Sequence, residues 1–480
     1  MFRDRKDSAM CHPAVGHIAS RLVLSLLCLL GLGSRALVLS ADRVNLDDDP
    51  TDARVFQVTS TLAVSGKIYP QPGAESALPL KVEAGFKLLE KRLEGTGRQA
   101  QALRSIRYYD QAGASITAGK QVSNADLRDE CRLVVAEGTD AGIDVSSPSG
   151  PLQVGELELL RTAGDSLAIA GLLPDTAVEP ADTWKPATWV LPVLAGIEAV
   201  EKSQLSCRLE KMTDDIATIS FQGEIIGAVL GAAAKVQIVG ELEYKVSQRH
   251  WQKLTLTQTE KRAVGAVSPG LDVEAKITTS RRLAKTAGRL SETDLKGVPL
   301  ESNDASRLLA FDAPLWNTRV FHSRDWHLLN QNSDSALLRM LEKGELLAQC
   351  SIKKLADAEP GKHVPEETFQ KDIQKTLGKN FQKLVQAERL RIREGLYVYR
   401  VVAVGTVPIK NEKDEEVLNP MQWNYYLVAN ADGRQLALVF SVAPELAAKF
   451  KDRDLAIVGG LEFLKAAGPT QARGKKSESR

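Results

Sequence analysis

Cysteine is scarce in this sequence, with five among 480 residues. Cys11 and Cys28 fall in an N-terminal segment that is predicted to be removed, so Cys131, Cys207 and Cys350 remain. The length of the chain excludes a disulfide-only miniprotein. An odd number of thiols cannot pair completely, and export allows at most one internal bridge. Cys131 and Cys207, both in strand-like segments, are the pair to consider. The alternative, which we favour, is that all three are small buried hydrophobic residues.

Catalytic and phosphate-binding motifs are missing as well. The chain contains no GxxxxGK[ST], GxSxG, HExxH or CxxC, and no GxGxxG after a strand. These absences remove the common phosphate-binding loops, nucleophile elbows and zinc arrangements. Lys and Arg number 62 and Asp and Glu 61, so no overall charge favours nucleic acid or an anionic membrane. We predict a protein that is not an enzyme, has no catalytic residues, cofactor or metal, and binds no nucleic acid.

Long hydrophobic runs are confined to the N terminus. Basic residues precede the apolar run LVLSLLCLLGLG at 22–33. This arrangement is typical of a secretory signal peptide, and the run is shorter than the ~20 residues of a membrane-spanning helix. We predict a signal peptide over 1–40 and a secreted or periplasmic protein of the cell envelope. The alternative is an uncleaved N-terminal helix that anchors the chain.

Of the 480 residues, about 440 follow the predicted signal peptide, which at ~100–200 residues per domain is enough for two or three domains with cores of their own. We predict an α+β fold in which an antiparallel β domain, a curved sheet or half-barrel, precedes an α+β domain. The predicted segments after the signal are a flexible leader at 41–54, the β domain at 55–283, a linker at 284–310, the α+β domain at 311–464 and a disordered basic tail at 465–480.

Hydrophobic and polar residues alternate through much of 55–283. From Val55 to Ile68 the even positions are mostly apolar, and the same period returns in several later segments. Such alternation is typical of antiparallel strands with one buried face. Farther along, GLYVYRVVAVG at 395–405 predicts a central strand. Pro365–Leu377 predicts a helix that is closed by Gly378.

One glycine-containing segment, FQGEIIGAVLGAAAK at 221–235, carries GxxxG spacing. In a membrane this spacing indicates helix pairing, but here the apolar part is short and lies between alternating strands. A loop or lip between strands is therefore predicted. The functional alternative is an apolar flap over a cavity or against a bilayer. Its candidate ligand-binding residues are Ile225, Ile226, Val229 and Leu230.

Histidine offers one constellation, His322, Asp325 and His327 in HSRDWH. In a strand, positions 325 and 327 share one face while 322 points to the other, so a single metal site is disfavoured. The pattern predicts a surface patch of hydrogen-bonding residues. An unrecognised hydrolase would use Asp325 and His327 as its proton-transfer pair.

From Trp316 to Leu464 the order of elements resembles the PsbP-like α-β-α sandwich. The resemblance rests on strands, a central helix, GLYVYRVVAVG and the hairpin WNYYLVANADGRQLALVFSV, followed by PELAAKF and LEFL. It implies a C-terminal α-β-α sandwich that binds protein partners or assists assembly and is not catalytic. The matching residues are core positions, so the resemblance implies no functional residue.

The N-terminal half is similar to uncharacterised secreted bacterial proteins with a long antiparallel sheet. The similarity rests on GLLPDTAVEPADTW at 171–184, on strands like those of 236–262, and on PGLDVEAKI. Such sheets resemble, at the level of the fold, the curved half-barrels of envelope lipoprotein carriers.

Two functions are expected from these observations. The first is an exported, non-enzymatic binding or assembly factor of the envelope that acts through protein–protein contacts. The second is a carrier or sensor of an apolar ligand held by the N-terminal β domain. The expected partner is therefore an envelope protein or an apolar small molecule.

Overall fold

The computed structural model describes residues 43–48, 53–93, 99–410 and 415–465. These residues form 24 strands in three sheets and seven α-helices. The predicted signal peptide at 1–40 lies outside the described residues, and of the predicted tail only Lys465 is described. None of the helices in these ranges is long and apolar enough to cross a membrane.

The first half of the chain is mostly strand. Its elements are β1 (Val55–Tyr69), β2 (Leu78–Arg92), β3 (Arg104–Ala118), β4 (Gln121–Asp126), β5 (Leu133–Thr139), β6 (Gly142–Ser146), β7 (Leu152–Gln153), α1 (Val154–Leu160), β8 (Thr183–Trp184), α2 (Val190–Ala195), β9 (Ala199–Ser203), β10 (Ser206–Thr213), β11 (Ile216–Val229), β12 (Ala232–Lys245), β13 (His250–Arg262) and β14 (Gly270–Leu283). All except β7 belong to one sheet of 13 strands.

Neighbouring strands of this large sheet run antiparallel. The main order is β6-β5-β3-β2-β1-β14-β13-β12-β11-β10-β8, with β4 beside β3 and β9 beside β11. The long-range pair is β1 with β14, in which Val64 lies opposite Ala275. Because this pair joins the first and last strands of the region, strands β1–β6 and β8–β14 form one continuous sheet.

One face of the large sheet, called here the inner face, is partly covered by residues 154–197, called the insert. Leu160 of the insert shares a buried cluster with Val58 of β1. Leu194 of the insert shares a second cluster with Leu254 and other inner-face residues. Burial of these apolar side chains stabilises the layer by roughly 25 cal/mol for each Å² removed from water.

The second half of the chain contains the remaining elements. They are α3 (Glu292–Leu295), α4 (Asp304–Arg307), β15 (Leu309–Ala313), β16 (Thr318–His322), β17 (Trp326–Gln331), β18 (Ser335–Glu342), β19 (Glu345–Lys354), α5 (Glu366–Leu377), β20 (Phe381–Leu390), β21 (Leu396–Lys410), β22 (Glu416–Asn430), β23 (Gln435–Val442), α6 (Ala447–Phe450), α7 (Arg453–Gly459) and β24 (Leu461–Phe463). Seven of these strands form an antiparallel sheet in the order β17-β18-β19-β23-β22-β21-β20.

Helix α5 packs on one face of the seven-stranded sheet. Phe369 and Ile373 are buried in a cluster with Tyr399 and Trp423. The predicted helix over 365–377 is confirmed, with Pro365 just before its first residue and Gly378 after its last. The spacing of its two buried residues, one turn apart, presents a single apolar stripe to the sheet.

The predicted α-β-α sandwich is wrong for this half, because the second covering layer is largely a sheet. That layer has the order β24-β16-β15-β7 and is accompanied by the short helices α6 and α7. Val320 of β16 shares a buried cluster with Leu338 and Phe440 of the seven-stranded sheet. In this layer β15 pairs with β7 from the first half in parallel orientation. The described chain is β-dominated throughout, so the predicted α+β fold class is wrong as well.

Residues 43–48 contact the large sheet, although their acidic surroundings predict a flexible leader. Leu46 is fully buried. The buried Asp48 carboxylate accepts hydrogen bonds from Arg92 at 2.8 Å and from Arg281 at 2.9 Å. The prediction failed for these residues because a carboxylate can be buried when two guanidinium groups neutralise and hydrogen-bond it, and composition does not reveal such partners.

Candidate ligand-binding face

The inner face of the large sheet continues beyond the insert as an apolar surface. Val64, Val82 and Ile116 lie side by side on β1, β2 and β3. Residues paired across neighbouring strands are called here a row. Leu80 of β2 lies in the next row of this face, and Ile68 of β1 lies in the row after that. These five residues are called here the open aliphatic face. All are partly exposed, and among the described residues they join none of the buried clusters.

Strand geometry fixes the side to which these residues point. Paired residues of antiparallel strands share a face, and successive residues alternate between faces. On β2, Phe86 is buried beneath the insert, so Leu80 and Val82 point to that same side. Lys81 and Glu83 point to the outer face, where they are exposed and form an ion pair at 2.7 Å. The open aliphatic face is thus an extension of the core side of the sheet.

The insert stops short of this surface. The Gly164 carbonyl accepts a hydrogen bond from the Thr279 hydroxyl at 3.3 Å, and Leu62, one row farther, is only partly buried against the core. On β13, the Gln258 side-chain amide donates to the Leu194 carbonyl near the end of the insert. The insert therefore covers the β11–β13 side of the inner face farther than the β1–β3 side.

Two charged residues border the open aliphatic face on β13. By strand pairing, Glu260 lies in the row of Leu80 and Arg262 in the row of Ile68. Nε of Arg262 is 3.0 Å from Oε1 of Glu260, and their side chains are 16% and 20% exposed. Burial raises the pKa of Glu260, although Arg262 acts in the opposite direction. The open aliphatic face is therefore bordered on its β13 side by an ion pair, and this pair is called here the margin.

The sequence-predicted ligand residues occupy a regular β11–β12 hairpin rather than a loop or flap. Ile225 and Val229 are buried in the core of the inner face. Ile226 is partly buried and pairs with Lys202 of β9, and Leu230 packs against the core from the turn. The ligand-binding role of these four residues stays a prediction.

The glycine spacing that drew attention to this hairpin has a packing explanation. A Cβ atom at position 227 would lie 2.0 Å from the carbonyl oxygen of Ala199, at the start of β9. Glycine therefore lets β9 approach β11 closely. The GxxxG pattern arises here from strand packing and not from a helix.

A separate cavity of about 330 Å³ lies near the β6 edge of the large sheet. The segment containing Pro299 and Leu308 closes one side. At its margin the Ser146 and Ser302 hydroxyls are hydrogen-bonded at 2.8 Å. The volume is at the lower end for small-molecule sites, so this cavity suits a compact apolar group. Its apolar walls include Val135, Pro148, Pro151, Pro299, Leu308 and Phe321.

The histidine constellation is divided between two strands. His322 ends β16 and His327 lies in β17, with Asp325 in the turn between them. Burial lowers the pKa of both imidazoles; at His327 the Asp325 carboxylate opposes this shift and His322 adds to it. Within the described residues, no group of three His, Cys, Asp or Glu side chains could hold a metal ion. The proton-transfer role of Asp325 and His327 stays a prediction.

The three remaining cysteines are free and buried. Cys131 and Cys207 belong to different buried clusters, so the pair considered from the sequence is not bonded in this structure. Burial raises the pKa of the Cys207 thiol to about 12, which keeps it protonated at neutral pH.

A buried ionic cluster beneath the insert was missed by sequence reasoning. Arg107 donates two hydrogen bonds of 2.8 Å to Asp165 and one of 2.9 Å to Glu90. Burial raises the pKa of Glu90, but Arg107 and neighbouring arginines lower it more strongly, and the net direction is downward. The available signal was the end of β2, where Glu90 and Arg92 occupy inner-face positions. These mutually paired charges tie the insert to the sheet.

No protein-family model matches the sequence, and no curated protein matches it. Solved structures show distant similarity. A Bacteroides thetaiotaomicron VPI-5482 protein is 12% identical over 32% of this chain and 48% of its own, with a TM-score of 0.22. Lipovitellin, from a structure describing its lipid–protein interactions, is 10% identical over 54% of this chain and 27% of its own, with a TM-score of 0.27.

DynF, from the dynemicin biosynthesis pathway of Micromonospora chersina, is 7% identical over 54% of this chain and 93% of its own, with a TM-score of 0.15. The present chain spans about half the length of the Bacteroides protein, 48%, and 27% of lipovitellin. At these TM-scores none of the three assigns a fold or a function to this chain.

Proposed function

We propose that the protein is a non-enzymatic carrier or sensor of an apolar ligand, which it binds on the open aliphatic face. The observation that supports this proposal is that apolar residues continue at the inner-face positions of β1, β2 and β3 beyond the part of the sheet that the insert covers. Val64, Val82 and Ile116 point to the core side of the sheet and remain partly exposed. An apolar surface on that side is stabilised when another apolar surface covers it.

The chemistry of the face favours an aliphatic ligand over a protein partner. All five of its residues are valine, leucine or isoleucine. Protein interfaces derive most of their binding energy from tryptophan, tyrosine and arginine, and the face has no aromatic residue. Branched aliphatic side chains on a sheet provide a smooth surface for hydrocarbon.

Binding is tested with the purified mature chain and the neutral fluorescent probe N-phenyl-1-naphthylamine. We expect a fluorescence increase that dodecanol reverses by competition. Replacing Val82 with Asn should weaken probe binding about tenfold, because a buried valine contributes roughly 1.5–3 kcal/mol.

Glu83→Asn is the matched control, since Glu83 is the next residue of β2 and points to the outer face. It should bind the probe as the wild type does. Equal binding by both variants and the wild type, or no binding by the wild type, would exclude the open aliphatic face as the site.

We further propose that the carrier acts in the cell envelope, as a secreted or periplasmic protein. The support is the basic N-terminal segment and the apolar run at 22–33. N-terminal sequencing of the chain recovered from the exported fraction should begin near residue 37–42. A chain that retains Met1 and sediments with membranes would instead indicate an uncleaved anchor.

A second candidate function, binding to an envelope protein, is favoured by the end of the β21–β22 hairpin. Pairing with β20 ends at Gly405 and pairing with β23 ends at Gln422, so the two strands continue beyond the sheet as an arm. Ile409 is 45% exposed and Leu418 is 62% exposed. Exposed apolar side chains on such an arm are available to a protein surface.

This second function is tested with a photo-crosslinking amino acid at position 418 in intact cells. We expect one discrete adduct, identified by mass spectrometry as an envelope protein, which disappears with Ile409→Asp. The same amino acid at Val122, which is 67% exposed on β4, is the control. Identical adducts from both positions would show nonspecific collision and remove this candidate.

A further inference from the structure

We propose that the ligand is an anionic amphiphile whose oxyanion head group is held by Arg262 while its hydrocarbon chain lies on the open aliphatic face. This inference rests on the proposed function and adds the chemical class of the ligand. The head group is a carboxylate or a phosphate, because a guanidinium group recognises both through paired N–H donors.

The first support is the position of Arg262 relative to the aliphatic residues. Arg262 pairs with Leu271 of β14, which pairs with Ile68 of β1. Adjacent strands are about 4.8 Å apart, so the backbone of Arg262 lies about 10 Å from that of Ile68 across the sheet. The strand of Ile116 is two strands farther, about 19 Å from β13. An amphiphile whose hydrocarbon chain spans these distances can therefore reach from the arginine across the open aliphatic face.

The second support is the incomplete pairing of Arg262. Its nearest carboxylate is Glu260, at 3.0 Å from Nε, yet Nε is buried without a hydrogen bond of acceptable geometry. The same-strand neighbour Lys261 points to the outer face and is exposed. A buried donor without a good acceptor is unfavourable, and a ligand oxyanion would supply that acceptor.

The Glu260–Arg262 ion pair predicts how the binding of an anion should respond to substitution. Glu260 and Arg262 neutralise one another, so the margin carries no net charge without a ligand. An incoming oxyanion competes with Glu260 for the guanidinium group. Removing the carboxylate at position 260 should therefore strengthen binding of an anion, whereas removing the guanidinium group at position 262 should weaken it.

The test is calorimetric titration of the mature chain with dodecanoate, dodecyl phosphate and dodecanol. For the wild type we expect at least tenfold tighter binding of one or both anions than of dodecanol. Preference between dodecanoate and dodecyl phosphate identifies the head group. Arg262→Gln should abolish the difference in affinity between the anions and dodecanol.

Glu260→Gln should bind the anions severalfold more tightly than the wild type, and Lys261→Gln is the matched control with unchanged affinities. Should Arg262→Gln fail to fold, as judged by circular dichroism, the Glu260→Gln arm and the wild-type comparison still decide the matter. Equal affinities for anions and dodecanol in the wild type, or no gain in Glu260→Gln, would overturn the head-group assignment. Failure of all three ligands to bind would overturn the proposed function itself.

Discussion

Asp48 joins the N-terminal described segment to the large sheet through two guanidinium groups. Burial raises the pKa of Asp48, but the charges and hydrogen bonds of Arg281 and Arg92 lower it by more. The pKa of this carboxyl in the folded protein is therefore below the ordinary value of 3.8. A carboxyl group with a lowered pKa in the folded state stabilises the fold at pH values above its unfolded pKa. That stability is lost as the pH falls through the folded pKa.

Asp48→Asn should therefore destabilise the protein at pH 7 by about 3–5 kcal/mol, because it leaves two buried arginines without their carboxylate. The difference from the wild type should begin to shrink as the pH falls below the ordinary value of 3.8, because the Asp48 carboxyl of the unfolded wild type is protonated there before that of the folded protein. Urea unfolding at pH 7, 5 and 3 measures both effects.

Asp272→Asn serves as the control for that experiment, since Asp272 is exposed on the outer face of β14. It should change the free energy of unfolding by no more than about 0.5 kcal/mol. A difference between Asp48→Asn and the wild type that stays constant from pH 7 to pH 3 would contradict the ionic account.

Individual residues were the hardest part to predict from the sequence. Val64 and Val82 could be assigned to a buried side, because alternation is a local signal. Arg262 could not be placed in the same row as Ile68, since that row depends on the pairing of β1 with β14 across about 200 residues of chain. Long-range register is set by tertiary packing, which leaves little trace in local sequence.

Among the elements, those with local signals were predicted best. The helix α5 has a proline before it, a glycine after it and apolar residues one turn apart. The insert has a weaker signal, because many of its buried residues come from helices α1 and α2, which have only seven and six residues, too few to show a clear apolar period. The burial of the insert can be recognised only when the position of the sheet that it covers is known.

The packing of α5 gives a prediction at this scale. Phe369 is 6% exposed and its ring centroid is 6.4 Å from that of Tyr399 in an edge-to-face contact. Phe369→Ala should lower the free energy of unfolding by about 3–5 kcal/mol, through lost burial and a cavity. Lys371→Ala, at an exposed position of the same helix, should have little effect, and equal losses from both variants would show that the helix face is not a core face.

At the scale of the whole molecule, the two largest sheets meet through the tips of two hairpins. Gly231, in the β11–β12 turn, has a φ of +78°. A Cβ atom there would lie 2.0 Å from the carbonyl oxygen of Gly344 in the β18–β19 turn. Arg339 of β18 also donates a hydrogen bond to the carbonyl of Ala266 in the β13–β14 connection. These contacts link the two halves at the end of the large sheet that carries the open aliphatic face.

Gly231→Ala should consequently be more destabilising than the same change at Gly297. Gly297 has a similar φ of +80°, but a Cβ atom there would meet no atom of the described residues within 4 Å. Gly297→Ala thus measures the conformational cost, about 1–2 kcal/mol, while Gly231→Ala adds a clash with Gly344. Thermal unfolding of both variants gives the difference, and equal midpoints would show that the two turns can separate freely.

The four-stranded sheet has a consequence for the order in which the protein can be completed. Its outer strands, β7 and β24, come from residues 152–153 and 461–463, more than three hundred positions apart. Ribosomes make the N-terminal end first, so β7 exists long before β15 arrives to pair with it, and β24 is among the last described residues to emerge. A chain interrupted before Leu461 lacks the strand that pairs with β16, and it presents an unpaired edge to which another chain can add. Completion of this small sheet thereby requires that synthesis has continued at least to Phe463.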